Sequence, residues 1–81
     1  MKALITGASS GIGRDMAIIL ANKGIDLILV ARRKERLEEL KKELNVNVEI
    51  IPLDISVKEN CYSLYEQVKD KNIDILINNA G

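Results

Sequence analysis

The sequence predicts an α/β protein in which four parallel strands alternate with three helices in a doubly wound sheet. Two observations support this prediction. Short, nearly continuous apolar runs, as at residues 26–31, are typical of parallel strands covered on both faces. Between these runs lie segments with apolar residues at helical spacing. Right-handed crossovers then give the strand order 3-2-1-4, with the first two helices on one face and the third on the other.

The first half of the chain is predicted as strand, helix, strand and helix over residues 2–6, 12–23, 26–31 and 32–44. Gly24 follows the first helix as a C-cap. The second helix has only a narrow apolar stripe, made of Leu37, Leu40 and Leu44. We therefore expect it to be the most exposed of the three.

The second half is predicted as a strand over residues 48–53, a helix opened by Ser56, and a strand over residues 73–77. Pro52 favours an edge position for the third strand, because proline cannot donate to a sheet ladder. Ser56 and Glu59 have the spacing of a capping box. The expected buried face of this helix consists of Cys61, Leu64, Tyr65 and Val68.

Composition argues against several classes of protein. Twelve basic residues balance twelve acidic ones, so no net charge attracts nucleic acid or an acidic membrane. The chain has no histidine and a single cysteine, which disfavours a zinc site or a disulfide framework; we interpret Cys61 as a core or boundary thiol. The early first strand leaves no room for a signal peptide, and no apolar run is long enough to span a membrane. We therefore expect a cytoplasmic protein.

A glycine-rich turn, T-G-A-S-S-G-I-G, joins the first strand to the first helix over residues 6–13. Gly7 ends the strand where φ must be unusual. Gly11 removes a Cβ that would block a pyrophosphate, and Gly13 allows the helix to pack closely on the strand. The turn predicts a dinucleotide-binding unit; the alternative is a plain connection between strand and helix.

Three further residues of this turn are candidate phosphate ligands. Ser9 and Ser10 supply hydroxyl donors. Ile12 supplies a backbone N–H at a helix N-terminus, where anions bind readily.

The end of the second strand bears on the identity of the dinucleotide. An acidic residue there accepts from the ribose 2′-OH of NAD, whereas an arginine attracts the 2′-phosphate of NADP. Arg32 lies about 19 residues beyond Gly13, with Arg33 beside it. The two arginines favour NADP over NAD; the alternative is that they simply open a solvated helix.

Four blocks together resemble the short-chain dehydrogenase/reductase family: T-G-A-S-S-G-I-G at 6–13, V-A-R-R at 30–33, L-D-I-S at 53–56 and N-N-A-G at 78–81. The resemblance covers the whole chain. It implies a Rossmann-type fold with NADP(H) as cofactor. In the full-length family it also implies hydride transfer between that cofactor and a carbonyl or alcohol substrate.

The resemblance also assigns roles to residues after the third and fourth strands. It implies that Asp54 accepts from the adenine amino group and that the Ile55 backbone meets the ring. The alternative for Asp54 is a turn carboxylate. It further implies that Asn78 ties the fourth strand to the first through Thr6. The backbone next to the adenine-side ribose is that of Asn79, Ala80 and Gly81.

The family's chemistry uses a Tyr and a Lys four residues apart, with a Ser and a further Asn. The resemblance places all of these beyond residue 81. Tyr65 and Lys69 have the Tyr–Lys spacing, but they lie on the helix before the fourth strand, on an outer face of the sheet. We therefore expect no catalytic residue and no metal ligand here. Residues 1–81 are predicted to be a partial, truncated cofactor-binding domain, inactive alone, with the substrate bound only in a full-length form.

Two other functions stay open at this point. One is a non-enzymatic nucleotide-binding or interaction module, completed by a partner chain if at all. The other is a different phosphate-binding protein, such as a methyltransferase-like fragment. If residues 1–81 are a truncated domain, the strand over residues 73–77 is expected to have an unpaired edge, and one sheet face is expected to carry a single helix. We expect self-association through that edge or that face.

Overall fold

The computed structural model, which describes residues 1–9 and 11–79, has one parallel sheet with helices on both faces. The elements in chain order are β1 (Lys2–Thr6), α1 (Gly11–Asn22), β2 (Asp26–Ala31), α2 (Lys34–Glu43), β3 (Val48–Pro52), α3 (Lys58–Val68) and β4 (Ile75–Asn78). The strand order is β3-β2-β1-β4, which confirms the predicted doubly wound arrangement.

The two central strands hold the sheet together. Leu4 of β1 lies opposite Ile28 of β2 on one side and Leu76 of β4 on the other. Both central strands are almost wholly buried, because helices cover them from either face. β3 lies at one edge of the sheet, as Pro52 predicted.

Each face of the sheet has its own apolar cluster. On one face, Leu20 of α1 and Leu37 of α2 are buried in a cluster with Ile5 of β1. On the other face, Leu64 of α3 is buried with Leu4 and Ile28 and several further side chains. The predicted distribution of helices, two on one face and one on the other, is therefore confirmed.

The prediction for the start of α3 is wrong in its capping. Val57, not Ser56, occupies the N-cap position, and no side chain caps the helix. The Ser56 hydroxyl instead donates to Asp54 Oδ1 at 2.6 Å. An ionised carboxylate is a strong hydrogen-bond acceptor, so the Ser56 hydroxyl bonds to Asp54 and does not cap the helix.

The predicted buried face of α3 is also too wide. Leu64 is buried and Val68 is half-buried, whereas Cys61 is exposed and Tyr65 is 63% exposed. α3 is the sole helix on its face among the described residues, so only one line of side chains, four residues apart, reaches the sheet. None of the described helices has the length and apolar content to cross a membrane.

Candidate functional site

A cleft of about 520 Å³ opens at the carboxyl ends of the strands, where the winding of the sheet reverses. Four segments line it, one after each strand. They contribute Gly7 and Ser9 after β1, Val30, Ala31 and Arg32 at the end of β2, Leu53, Asp54, Ile55 and Ser56 after β3, and Asn79 after β4. The topology therefore brings six of the ten described residues that were predicted for the site to one place.

The glycine turn forms one wall of this cleft. Gly7 has a φ of 65° and Gly11 a φ of 59°, a region of backbone that other residues rarely adopt. A Cβ at Gly13 would overlap the carbonyl oxygen of Gly7 and lie 2.8 Å from Asn79 Nδ2. The close approach of helix to strand that the sequence predicts is therefore present.

The N-terminus of α1 is open to solvent beside this wall. Apart from its chain neighbours and its own helix, no described residue has an atom within 4 Å of the place where a Cβ on Gly11 would lie, and Ile12 is 70% exposed. A ligand can thus approach the first N–H groups of the helix. Ser10, also predicted at this site, lies outside the described residues.

A buried hydroxyl ties β4 to β1 directly beneath the cleft. Thr6 is 4% exposed, and its Oγ1 donates to Asn78 Oδ1 at 2.9 Å and accepts from the Asn79 N–H at 3.1 Å. Asn79 Nδ2 in turn donates to the Gly7 carbonyl at 3.3 Å. The brace that the sequence analysis assigned to Asn78 is thus present, and it also fixes the glycine turn. Ala80 and Gly81 lie outside the described residues.

Arg32 supplies the positive charge of the cleft. Its side chain is exposed, lines the cleft, and makes no ion pair or hydrogen bond within residues 1–9 and 11–79. Arg33 is exposed in extended backbone just before α2, and it is not among the residues that line the cleft. The structure therefore separates the two arginines that the sequence placed together.

Asp54 supplies the negative charge, across from the glycine turn. Its Oδ1 accepts from both the N–H and the hydroxyl of Ser56, at 3.0 and 2.6 Å. These two bonds lower the pKa of the Asp54 carboxyl, and the nearby charge of Arg32 adds to the effect. Asp54 is thus a turn carboxylate, which was the alternative interpretation, and it also lines the cleft in ionised form.

The two tyrosines do not take part in this arrangement. Tyr65 is exposed on α3, and Lys69 pairs with Glu66 at 2.9 Å. The described part of the chain contains no group of three or more His, Cys, Asp or Glu side chains that could hold a metal. The cleft can accommodate an extended, anionic ligand.

Several residues that the sequence analysis did not assign to the site also take part in it: Val30, Ala31, Leu53 and Ser56 line the cleft, and Asn60 supports its wall. Asn60, in the first turn of α3, donates from Nδ2 to the Asp54 carbonyl oxygen at 2.8 Å. In the sequence, this hydrogen bond is indicated only by an asparagine six residues after the aspartate. That spacing alone does not predict a contact, because the fold has to bring the two residues together.

Several known proteins are similar to this chain in both architecture and sequence. The chain is 42% identical over 85 aligned residues to a very-long-chain 3-oxoacyl-CoA reductase of Candida glabrata, covering 98% of this chain and 24% of that protein. The short-chain dehydrogenase from Sphingobium yanoikuyae, solved in complex with NADPH, is 44% identical with a TM-score of 0.88, covering 99% of this chain and 34% of that one. L-sorbose reductase from Gluconobacter frateurii, solved with NADPH and L-sorbose, is 40% identical with a TM-score of 0.86, covering 99% and 33%.

The chain therefore spans about a quarter to a third of the length of the relatives it matches. The family model for short chain dehydrogenase matches residues 1–81. With the strand order, the glycine turn and the brace between β1 and β4, this match places the chain in the short-chain dehydrogenase family.

Proposed function

We propose that residues 1–81 are the NADP(H)-binding N-terminal part of an oxidoreductase that transfers hydride between NADP(H) and a carbonyl or alcohol substrate. The observation that carries this proposal is the cleft, in which an open glycine turn, an arginine with no ion pair among the described residues and an ionised carboxylate line one space. Two structural neighbours of the chain were solved with NADPH, which supports the same cofactor.

The pyrophosphate is assigned to the glycine turn. Its negative charge is favoured at the N-terminus of α1, where unsatisfied N–H groups and the helix dipole combine. Gly11 leaves the space in front of the helix open, and the Ile12 N–H and the Ser9 and Ser10 hydroxyls are the proposed donors.

The adenosine half is assigned to the rest of the cleft. Arg32 is the proposed partner of the 2′-phosphate, because it lines the cleft and makes no other ion pair within the described residues. Arg33 is a second, outer cation for the same group. The carboxylate of Asp54 and the backbone of Ile55 are the proposed contacts of the adenine ring. The backbone proposed for the adjoining ribose is that of Asn79, Ala80 and Gly81.

The reacting groups are proposed to lie outside residues 1–81, so these residues form a partial domain. Bound NADPH supplies the hydride, while the residues of this chain bind and orient the carrier. We therefore expect binding without turnover from this chain alone, and weak binding, because the nicotinamide half of the pocket is also proposed to lie outside residues 1–81.

Calorimetric titration of the purified chain with NADPH, NADH and S-adenosylmethionine tests the proposal. The expected result is binding of NADPH at least about tenfold tighter than binding of NADH, because a charged hydrogen bond to the 2′-phosphate is made only with NADPH. Equal affinities for NADPH and NADH would contradict the assignment of Arg32 to the 2′-phosphate. Preference for S-adenosylmethionine would indicate a methyltransferase-like protein, and no binding of any nucleotide would favour an interaction module.

We also propose that the chain self-associates. β4 is paired with β1 on one side, and no other described strand pairs with it. Its Leu76 is 66% exposed, next to the sheet face on which α3 is the sole helix that the structure describes. An open strand edge beside an exposed apolar side chain invites pairing with another chain.

A further inference from the structure

The first turn of α3 is hydrogen-bonded to the wall of the cleft. Asn60 Nδ2 donates to the Asp54 carbonyl oxygen at 2.8 Å, and Cys61 Sγ donates to the Ile55 carbonyl oxygen at 3.1 Å. Both carbonyls belong to residues that line the cleft. Two consecutive side chains of α3 therefore hold two consecutive backbone positions of this wall.

The same turn fixes the carboxylate of Asp54. Its Oδ1 accepts both bonds from Ser56, and Oδ2 has no partner within residues 1–9 and 11–79. The Asp54 carbonyl also accepts from the Val57 N–H, but at 3.3 Å. Since the bond from Asn60 is 0.5 Å shorter, it is the stronger restraint on that carbonyl.

The surroundings of the carboxylate indicate what Oδ2 can receive. Leu53 and Ile55, both half-buried, line the cleft with apolar surface beside Asp54. Apolar walls with one free carboxylate oxygen suit a flat heteroaromatic ring that carries an amino group at its edge. A carboxylate held in place by other bonds discriminates well between a ring with that donor and a ring without it.

We propose that Asn60 is a positioning residue that holds the Asp54 turn in the geometry needed to recognise the amino edge of the cofactor's purine ring. This inference rests on the proposed function, because it concerns the same cleft. Asn60 itself does not line the cleft; it acts through the Asp54 carbonyl. Loss of its donor should let the turn move and weaken the bond from the ring to Asp54.

The experiment compares NADPH with its hypoxanthine analogue, in which a carbonyl oxygen replaces the purine amino group. The ratio of the two affinities is measured by calorimetry for the unmodified chain, for Asn60→Asp and for Asn60→Leu. Both substitutions remove the donor. The aspartate keeps the size of the side chain and is favourable in the first turn of a helix, so it protects against loss of folding. Gln67→Leu, at an exposed position on α3 whose side chain donates to Ser63, is the matched control.

The unmodified chain should prefer NADPH by about tenfold over the analogue. In both Asn60 variants this preference should fall by about three- to tenfold, while affinity for the analogue stays within about twofold. An equal loss for both ligands would show that Asn60 only stabilises the fold, and an unchanged ratio would show that it does not position Asp54; either result overturns the inference. If the unmodified chain binds neither NADPH nor the analogue, the proposed function itself fails. That result is distinct from an equal loss of affinity and from an unchanged ratio.

Discussion

At the scale of single residues, the shape and the charge of the cleft depend on a few positions. Gly13 has no room for a side chain, because the Gly7 carbonyl occupies that space. Arg32 and Asp54 place opposite charges on the rim of the same cleft. Each of these residues was named from the sequence, and their spatial relation came from the fold.

Replacement of Gly13 by alanine should lower the free energy of unfolding by about 2–3 kcal/mol, the cost of inserting a methyl group into a packed site. Urea denaturation followed by circular dichroism measures this. The matched control is Gly11→Ala, where a Cβ would meet no atom of the other described segments within 4 Å and the positive φ opposes the substitution. That strain costs about 1 kcal/mol. A control that is as destabilised as Gly13→Ala would contradict the steric explanation.

Replacement of Arg32 by alanine should weaken NADPH binding by about tenfold and leave NADH binding within about twofold, since only NADPH carries the 2′-phosphate. The dissociation constants are measured by calorimetry. Arg36→Ala removes an equally exposed arginine from α2 that is not part of the cleft, so it should change neither. Parallel losses for NADPH and NADH in Arg32→Ala would be inconsistent with a phosphate contact.

At the scale of elements, the position of β4 depends on the Thr6 hydroxyl as well as on the strand ladder. This one oxygen joins β1 to both asparagines that follow Ile77. α3 is attached differently, because its buried contact is narrow and its first turn is fixed by polar bonds to the cleft wall. The elements that shape the cleft are therefore held by polar contacts at their ends.

Replacement of Thr6 by valine should lower the free energy of unfolding by about 1–3 kcal/mol, because the half-buried Asn79 N–H and the side-chain oxygen of Asn78 lose their partner. Thermal or urea unfolding measures the loss, and amide hydrogen exchange at Asn79 should accelerate. Thr6→Ser keeps the hydroxyl and should recover most of the stability. Equal losses in both variants would mean that packing of the methyl group, rather than the hydroxyl, holds β4.

At the scale of the whole molecule, the sheet is unevenly protected. The β3 edge carries Pro52, which cannot donate to a further strand, whereas β4 has no such residue. The helices are also unevenly distributed, with two on one face and one on the other. Association should therefore involve the β4 side of the molecule.

The substitution Leu76→Lys should shift the chain toward monomer, because a charge on an edge strand opposes pairing. Sedimentation velocity over a range of concentrations measures the distribution. Ile19→Lys is the control, since Ile19 is 48% exposed on α1, on the opposite face of the sheet. A monomeric unmodified chain, or an equal effect of both substitutions, would refute association through β4.

How much could be predicted from the sequence differs between the sheet and the site. The predicted strand boundaries lie within two residues of the observed ones. This agreement arises because short, continuous apolar runs are typical of parallel strands buried on both faces. Predictions at α3 were less successful. Ser56 was expected to cap the helix, and Cys61 and Tyr65 were expected to be buried, because amphipathic spacing does not reveal how wide a helix face the sheet will accept.

The sequence by itself determined the order of the elements, the glycine turn and the chemical types at the strand ends. These depend on local spacing and on backbone sterics, which act between near neighbours in the chain. Only the tertiary structure decided that Arg32 lines the cleft while Arg33 does not, that Asp54 bonds to Ser56, and that Asn60 reaches the Asp54 carbonyl. These contacts depend on distances between atoms of different segments, and such distances are set only when the strands align side by side.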